Sequence, residues 1–453
     1  MKRVRDVDMT MGSIVPHIFR FAFPLLLGNL FQQLYNTVDT WVVGNFASNE
    51  AYSAVGAVGP IINTLIGFFT GLASGAGVLI SQSYGAHRED DVRKAVHTAI
   101  VMTMIMALLF TGIGIAMVPF MLDLMNMPES VKPEAATYLS IYFGGIICLM
   151  LYNMGAGILR AVGDSQRPFY YLVICAVINT VLDLVLVLKF RMGVAGVAWA
   201  TVISQCISAV LVSVNLLRTT SCIRVRIRCL KIHWKTLKKI ISVGIPAALQ
   251  IAVTSFSNVF VQSYINYFGP DAMSSWTSFS KIETFVLLPM QSIGLACTTF
   301  VGQNLGCGRE ARAKKGVSAA MGMALGITVV LGIPIMIFAR PLVSFFNSKP
   351  EVVDYGTMLL MWMTPFYLLP CTNSIQVCAL QGAGNTKIPM VTQLMSYVVF
   401  RLIYMAVMSR ICNEFLFIAM GYPAGWLMAT VANGIYYRKV PLSKTRLVEQ
   451  KAQ

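Results

Sequence analysis

The stretch from Asn29 to Asp39 carries four polar side chains within an otherwise apolar segment: Asn29, Gln32, Asn36 and Asp39. Their spacing of three, four and three residues places all four on one face of a helix. A carboxylate in hydrocarbon is expensive, so an acidic residue inside a membrane span marks a candidate site for an ion, a proton or a substrate. We therefore expect Asp39 to anchor a cation site. The alternative is that the stripe only packs against another helix, or that Asp39 lies close enough to the surface to be hydrated.

Two other carboxylates fall inside the apolar segments, Asp183 and Glu283. Asp39 and Asp183 each lie a few residues before the outer end of their segment, and Asn179 shares a helical face with Asp183. Thr201 comes at a comparable depth. Two carboxylates with amide and hydroxyl oxygens suit a hard cation such as Na⁺. They suit a proton equally well, because two adjacent carboxylates can hold one between them.

Composition indicates which elements position these side chains. Hydrophobic residues make up 56% of the 453-residue chain, only 12% are charged, and the mean hydropathy is +0.68. Apolar runs long enough to cross a bilayer as helices occur about a dozen times, and no strand-like alternation favours a barrel. We place the spans at about 15–41, 53–80, 95–118, 135–158, 168–188, 193–217, 241–267, 277–300, 316–338, 356–380, 388–409 and 412–435.

The basic residues predict the orientation. With the N-terminus inside, 27 of the 35 lysines and arginines lie on the cytoplasmic side, including Arg20 near the inner end of the first span, which fits a multi-pass protein with both termini cytoplasmic. The opening residues do not resemble a removable signal peptide. The net charge of +16 is explained by this topology, so nucleic-acid binding is not expected, whereas attraction of the basic linker to anionic lipid headgroups is.

Cysteine and histidine indicate no further chemistry. The ten cysteines occur singly and without CxxC spacing, so we expect packing residues and neither disulfides nor a metal site. The four histidines lie in or beside polar segments. Because the spans contain no reactive cluster, we expect no enzyme, no catalytic residue and no cofactor.

The two halves of the chain repeat at an offset of 221 to 222 residues. Pro24 matches Pro246, and the segment Leu159–Pro168 matches Leu380–Pro389. Each half has six spans, so both enter the membrane from the same side, which is typical of a transporter with its cavity between two lobes. The expected organisation is a six-helix lobe at 1–217, a basic linker at 218–240, a second six-helix lobe at 241–435 and a basic tail at 436–453.

The second half does not keep the carboxylates. Asp39 aligns with Val261 and Asp183 with Tyr404, whereas Arg401 introduces a fixed positive charge. We therefore expect one cation site, in the first lobe. Glu283 has two interpretations: it neutralises Lys281 or Arg401, or it faces a cationic substrate in the cavity.

The chain resembles the multidrug and toxic compound extrusion (MATE) family over essentially its whole length. The resemblance rests on the twelve spans in two halves, on Pro24 with the segment Asn36–Asp39, on the Gly-rich second span and on the segments Leu159–Asp164 and Asn179–Asp183. It implies an all-α membrane fold whose two six-helix lobes are related by a parallel pseudo-twofold repeat.

The family resemblance also implies a function. It predicts a bacterial inner-membrane antiporter that exports organic cations and other amphipathic compounds, driven by Na⁺ or H⁺, and acting as a monomer. The implied cation ligands are Asp39, Asn179, Asp183 and Thr201, with Asn36 and Asn153 as weaker members. Candidate cavity residues are Gln32, Gln250, Asn258, Glu283 and Arg401. The alternative is a flippase for a lipid-linked cell-envelope precursor, although few cationic side chains lie in the spans to bind a pyrophosphate.

Overall fold

Helices form nearly all of the computed structural model, which describes residues 7–46, 48–125 and 127–448, and no strand occurs among these residues. Eleven helices are long and apolar enough to cross a membrane, and a bent pair of helices raises the number to twelve. In hydrocarbon each backbone N–H and C=O needs a partner within its own segment, and a helix supplies one. The prediction of an all-α membrane protein is confirmed.

The described chain divides into two compact units, which we treat separately. The first unit contains Pro24–Gly244, and the second contains Met9–Phe23 and the residues from Ile245 onward. One boundary falls at Pro24, inside the long helix α1 (Ile14–Phe46). The other falls inside α8 (Trp234–Asn266), two residues before Pro246.

The first unit holds the remainder of α1 and six further helices. They are α2 (Asn49–Gly85), α3 (Glu89–Leu124), α4 (Lys132–Gly144), α5 (Ile146–Ala161), α6 (Gln166–Leu184), which continues as a π-helical segment (Val185–Lys189), and α7 (Gly193–Arg218). The predicted fourth span, at 135–158, is broken: α4 and α5 meet at Gly145 with a bend of 48°. A side chain at Gly145 would overlap the Val202 side chain of α7, so a glycine is needed for this close approach of the two helices.

The second unit repeats this order with more interruptions. Its helices after α8 are α9 (Pro270–Gly306), α10 (Glu310–Ile337), α11 (Ala339–Phe346), α12 (Pro350–Met363), α13 (Leu368–Gly382), α14 (Lys387–Gln393), α15 (Arg401–Ile411), α16 (Phe415–Ala419) and α17 (Gly421–Lys439). A π-helical segment, Leu394–Phe400, joins α14 to α15. A short 3₁₀ turn, Thr364–Tyr367, contains Pro365 and separates α12 from α13, because proline cannot donate the backbone hydrogen bond that a continuous helix requires.

Glycines permit close helix packing in the first unit. A Cβ atom at Gly75 of α2 would lie 2.5 Å from the Gly244 nitrogen and 2.6 Å from the Ile240 oxygen of α8. At Gly77, the nearest neighbour of such an atom would be the Gly157 oxygen of α5, at 3.7 Å. Gly75 therefore allows a close approach of α2 to α8 that a larger residue would prevent, whereas the contact at Gly77 is of ordinary van der Waals length.

Gly75→Ala is expected to lower the thermal stability of the purified protein, because the neighbouring atoms are backbone and cannot rotate away. Overpacking of this kind costs about 1–3 kcal/mol. Gly59→Ala is the matched control on the same helix, since a Cβ atom there would meet no described atom within 4 Å. Thermal unfolding in detergent compares the two variants, and equal melting temperatures would show that the α2–α8 contact does not limit packing.

One expectation about cysteine is wrong. Cys148 of α5 and Cys206 of α7 form a disulfide, with their Cα atoms 4.8 Å apart. The two residues are 58 positions apart in sequence, and α6 lies between their helices in the chain. They meet because α5 packs along α7. Spacing rules detect bridges within a short segment and cannot detect one between packed helices.

Candidate functional site

The Asp39 and Asp183 carboxyl groups lie close enough to interact electrostatically in the first unit. Asp39 lies on α1 and is half-buried, and Asp183 lies on α6 and is fully buried. No hydrogen bond joins the two side chains, because neither Asp183 oxygen has a partner among the described residues. Two nearby carboxylates repel each other when both are ionised, and a cation or a proton between them relieves that repulsion. The expectation that these two residues form one cation site remains a prediction.

Several oxygens around this pair have no hydrogen-bond partner among the described residues. They are Asp39 Oδ1 and both carboxylate oxygens of Asp183, and the Asn179 side-chain oxygen and nitrogen are likewise unpartnered. Asn179 is fully buried one turn before Asp183 on α6. Buried polar atoms in proteins are nearly always satisfied, so such a group of exceptions calls for a ligand or a proton. The oxygens present are those that a hard cation prefers.

Tyrosines line the carboxylate pair. Tyr138 of α4 lies within electrostatic range of both carboxylates, and Tyr35, one turn before Asp39 on α1, is close to Asp39 and contacts Gln32. Tyr142 lies one turn after Tyr138, and their rings are stacked 6.4 Å apart. Sequence analysis missed these phenols. The four-residue spacings Tyr35–Asp39 and Tyr138–Tyr142 were the available signal.

Three predicted cation ligands are not joined to the pair by any described contact. Asn36 is exposed, and the Asn153 amide donates to the Leu149 carbonyl of its own helix at 2.9 Å. Thr201 of α7 has a buried, unpartnered hydroxyl that borders a small cavity with Tyr142 and Gln205. Within the described part of the chain, Thr201 thus neighbours Tyr142, and the cation-ligand roles of Thr201, Asn36 and Asn153 remain predictions.

Both units place a charged residue beside a π-helical segment. Asp183 comes two residues before the segment Val185–Lys189, and Arg401 comes immediately after the segment Leu394–Phe400. A π-helical turn widens the helix and occurs often at functional positions. The two positions carry opposite charges, and the expectation of one cation site in the first unit remains a prediction.

Arg401 is held by aromatic faces. It is 1% exposed, and its guanidinium carbon lies 4.1 Å from the Tyr422 ring centroid and 4.9 Å from that of Tyr397. Arg401 Nη1 donates to Asn258 Oδ1 at 3.4 Å, and Tyr422 donates to the same oxygen at 3.2 Å. Among the described residues no carboxylate lies within ion-pairing distance of Arg401.

Glu283 interacts electrostatically with Arg401, but the two side chains form no ion pair within 4.0 Å. Lys281, two residues earlier on α9, is exposed and likewise has no ion pair among the residues described. Direct neutralisation of either cation by Glu283 is therefore not observed.

Gln250 is half-buried on α8, one turn before Thr254, whose hydroxyl contacts Gln393 at 3.4 Å.

A neutral, satisfied network occupies the neighbouring part of the second unit. Asn373 donates to the Tyr397 hydroxyl at 3.1 Å and accepts from Asn433 at 2.8 Å, and Thr392 donates to Asn433 at 2.8 Å. The first unit has carboxylates with unpartnered oxygens, whereas the side chains of this network form hydrogen bonds with one another. The contrast favours a cation site in the first unit.

The fold and this site define a multi-pass helical membrane protein built from a duplicated unit, with a buried carboxylate pair in the first copy. Comparison with known proteins assigns the particular family. The MatE family model matches residues 24–185 and again residues 246–407, so the two copies begin 222 residues apart. The chain belongs to the MATE family of multidrug and toxic compound extrusion transporters. The internal repeat predicted from the sequence is confirmed.

Two relatives from Bacillus subtilis strain 168 span nearly the whole chain. The probable multidrug resistance protein YpnP is 30% identical over 435 residues, which cover 96% of this chain and 97% of the relative. The probable multidrug resistance protein YoeA is 30% identical over 464 residues, covering 99% and 100%. These descriptions concern multidrug resistance and give no support to the alternative of a flippase.

A solved structure agrees in fold. The outward-facing conformation of a multidrug resistance MATE family transporter of the MOP superfamily superposes with a TM-score of 0.90, covering 98% of this chain and 99% of that chain. Its sequence identity of 22% supports the fold alone.

Proposed function

We propose that this protein is a secondary active antiporter in which inward movement of Na⁺ or H⁺ drives export of amphipathic, often cationic, small molecules. The observation that carries the proposal is the carboxylate pair of Asp39 and Asp183, whose buried oxygens lack partners among the described residues. An ion or proton at this pair satisfies those oxygens and neutralises charge that is otherwise costly in a low-dielectric environment.

The proposed mechanism is alternating access between two lobes. Cation binding to Asp39 and Asp183 from outside favours one state, and substrate binding from the cytoplasm or the inner leaflet favours the other. Coupling requires these opposite preferences, because a ligand with equal affinity for both states shifts neither. Pro24, which interrupts the hydrogen-bond ladder of α1 at a boundary between the two compact units, is the proposed hinge.

The driving force is sufficient for useful export. Each positive charge that moves inward contributes about 2.3 kcal/mol per 100 mV of membrane potential. Since a tenfold gradient costs about 1.4 kcal/mol, one charge moved across 100 mV sustains roughly a fortyfold gradient of a neutral substrate. Exchange of one such ion for one monovalent cationic substrate moves no net charge, so that exchange is driven by the concentration gradient of the ion. We place the protein in the bacterial inner membrane with both termini cytoplasmic, because the basic residues concentrate on that side of the predicted topology.

Transport of a fluorescent organic cation in proteoliposomes, with separately imposed Na⁺ and H⁺ gradients, tests the proposal. We expect wild-type protein to move the dye against its gradient under one of the two, and the effective gradient identifies the coupling ion. Liposomes without protein, and an ionophore that collapses each gradient, are the controls. If neither gradient drives any cationic dye, the antiporter proposal fails, and lipid-linked substrates become the class to test.

A further inference from the structure

A basic pocket lies at one end of the first unit, where α3 begins, α7 ends and α8 begins. Its volume is about 430 Å³, and the side chains that line it include Arg93, Lys94, His97, Arg224, Arg226 and His233. Asp90 is the one carboxylate in the lining. The segment that closes the pocket, residues 219–233, connects α7 to α8 and belongs to the largest cluster of basic residues in the chain, which extends from Arg218 to Lys239.

The positive charge of this pocket is incompletely neutralised. Arg93 pairs with Glu89 at 3.2 Å and Asp90 at 3.6 Å, and Lys94 lies 3.9 Å from Asp91. Arg224 and Arg226 have no ion pair among the described residues. Arg224 donates through Nε to the Leu217 carbonyl at 3.2 Å, so its terminal nitrogens remain for a ligand. Two arginines with unused donors suit an oxyanion with several acceptor oxygens, such as a phosphate group.

Hydrogen bonds hold the pocket in shape. The Arg226 backbone N–H donates to Nε2 of His97 at 3.1 Å, so the ring proton lies on Nδ1, which donates to the Arg93 carbonyl at 2.7 Å. The His233 backbone N–H donates to the Thr98 hydroxyl at 3.2 Å. The connecting segment is thus fastened to α3 at both sides of the pocket, and Arg226 is positioned rather than left on a free loop.

Exposed apolar side chains flank the pocket. Ile227 is 71% exposed and Trp234 is 77% exposed, and each follows directly on a residue of the pocket lining. The pocket lies at the ends of three candidate spans, which places it at the height of the membrane surface. Tryptophan and exposed aliphatic residues beside basic side chains are typical of segments that insert into the headgroup region.

We propose that this pocket binds the phosphate headgroup of an anionic membrane lipid, with Arg224 and Arg226 contacting the phosphate and Ile227 and Trp234 inserted beside the acyl chains. The sequence predicted a general attraction of the basic linker to anionic lipid. The structure narrows that attraction to a cavity with a defined set of donors. The inference is independent of the transport proposal, because none of these residues belongs to the carboxylate site.

Full-length protein in a neutral detergent, titrated with short-chain phosphatidylglycerol, tests the site by thermal stabilisation. We expect saturable stabilisation of wild type, and no saturable stabilisation by short-chain phosphatidylcholine. Arg224→Gln/Arg226→Gln is expected to weaken the apparent affinity roughly thirtyfold, since each basic residue contributes about 1 kcal/mol, which is about fivefold in affinity. Arg228→Gln/Lys231→Gln removes the same charge from the same segment but outside the pocket lining, and is expected to change the affinity less than threefold.

Two further arms separate the sources of the phosphate and guard against misfolding. Trp234→Ala should weaken binding of the lipid without changing binding of glycerol phosphate, which has the headgroup but no chains. Arg224→Lys/Arg226→Lys should retain most of the affinity if the glutamine variants failed through lost charge. Equal losses of lipid affinity in the pocket variant and in the control variant would overturn the proposed site, because the attraction would then come from the total charge of the segment. Equal affinity for glycerol phosphate and for the lipid would overturn the proposal of a lipid ligand and would assign the pocket to a soluble phosphate compound.

Discussion

Asp39→Asn is expected to abolish gradient-driven export while leaving a folded protein that still exchanges substrate down its gradient. Asparagine keeps the shape of the side chain but removes one of the two charges that hold the cation. Loss of one charged partner from a buried site costs about 3–5 kcal/mol, which lowers cation affinity by roughly 10²- to 4 × 10³-fold. The fold should persist, because Asp39 and Asp183 repel each other when both are ionised, and the substitution removes that repulsion.

Paired measurements on the same proteoliposomes check this result: uptake of the dye against its gradient, and exchange of dye at equal concentrations. Asp123→Asn is the matched control, because the Asp123 side chain is 68% exposed and meets only Lys132 at the surface. Asp183→Asn should reproduce the loss, and the double variant should be little worse than either single variant, as expected for residues that act as one site. Normal coupling in Asp39→Asn would show that the carboxylate pair is not the coupling site.

The parts that could be predicted from the sequence follow from strong, local constraints. Crossing a bilayer requires long apolar helices, so composition and run length were enough for the all-helical fold. A carboxylate in such a helix is rare, and this rarity made Asp39 and Asp183 visible. The repeat was readable because both copies keep their turn segments, as at Leu159–Pro168 and Leu380–Pro389.

The parts that could not be predicted depend on contacts between helices. Gly145, where α4 and α5 meet, packs closely against Val202 of α7, and the Cys148–Cys206 disulfide joins α5 to α7. Arg401 was identified by its position in the repeat, but one of its aromatic partners, Tyr422, lies on a different helix. Helical spacing reports neighbours on the same helix, and each of these contacts instead depends on which faces of two helices meet.

Arg401→Ala is expected to reduce folding yield and thermal stability more than any other single change in the second unit that we consider. Truncation leaves a cavity at one of the largest fully buried side chains and removes two cation–π contacts. Cavity formation alone costs about 2–5 kcal/mol for a large side chain, and a desolvated cation–π contact adds about 2 kcal/mol. Thermal unfolding in detergent and the monodisperse yield measure the effect. Arg410→Ala, at an exposed position on the same helix, is expected to shift stability by less than about 0.5 kcal/mol.

Glu283→Gln distinguishes two roles of Glu283: balancing the positive charge of Arg401, or facing a cationic substrate in the cavity. If Glu283 compensates Arg401 through space, removing either charge alone should destabilise the protein, and the double variant Arg401→Met/Glu283→Gln should recover part of the loss by an interaction energy of about 0.5–3 kcal/mol. Because the two side chains form no ion pair within 4.0 Å, we expect Glu283→Gln to fold normally and to alter which cationic substrates are exported. Low yield of Glu283→Gln with recovery in the double variant would contradict that expectation. Arg401 would then be a structural charge balanced by Glu283, and the cavity role of the carboxylate would be lost.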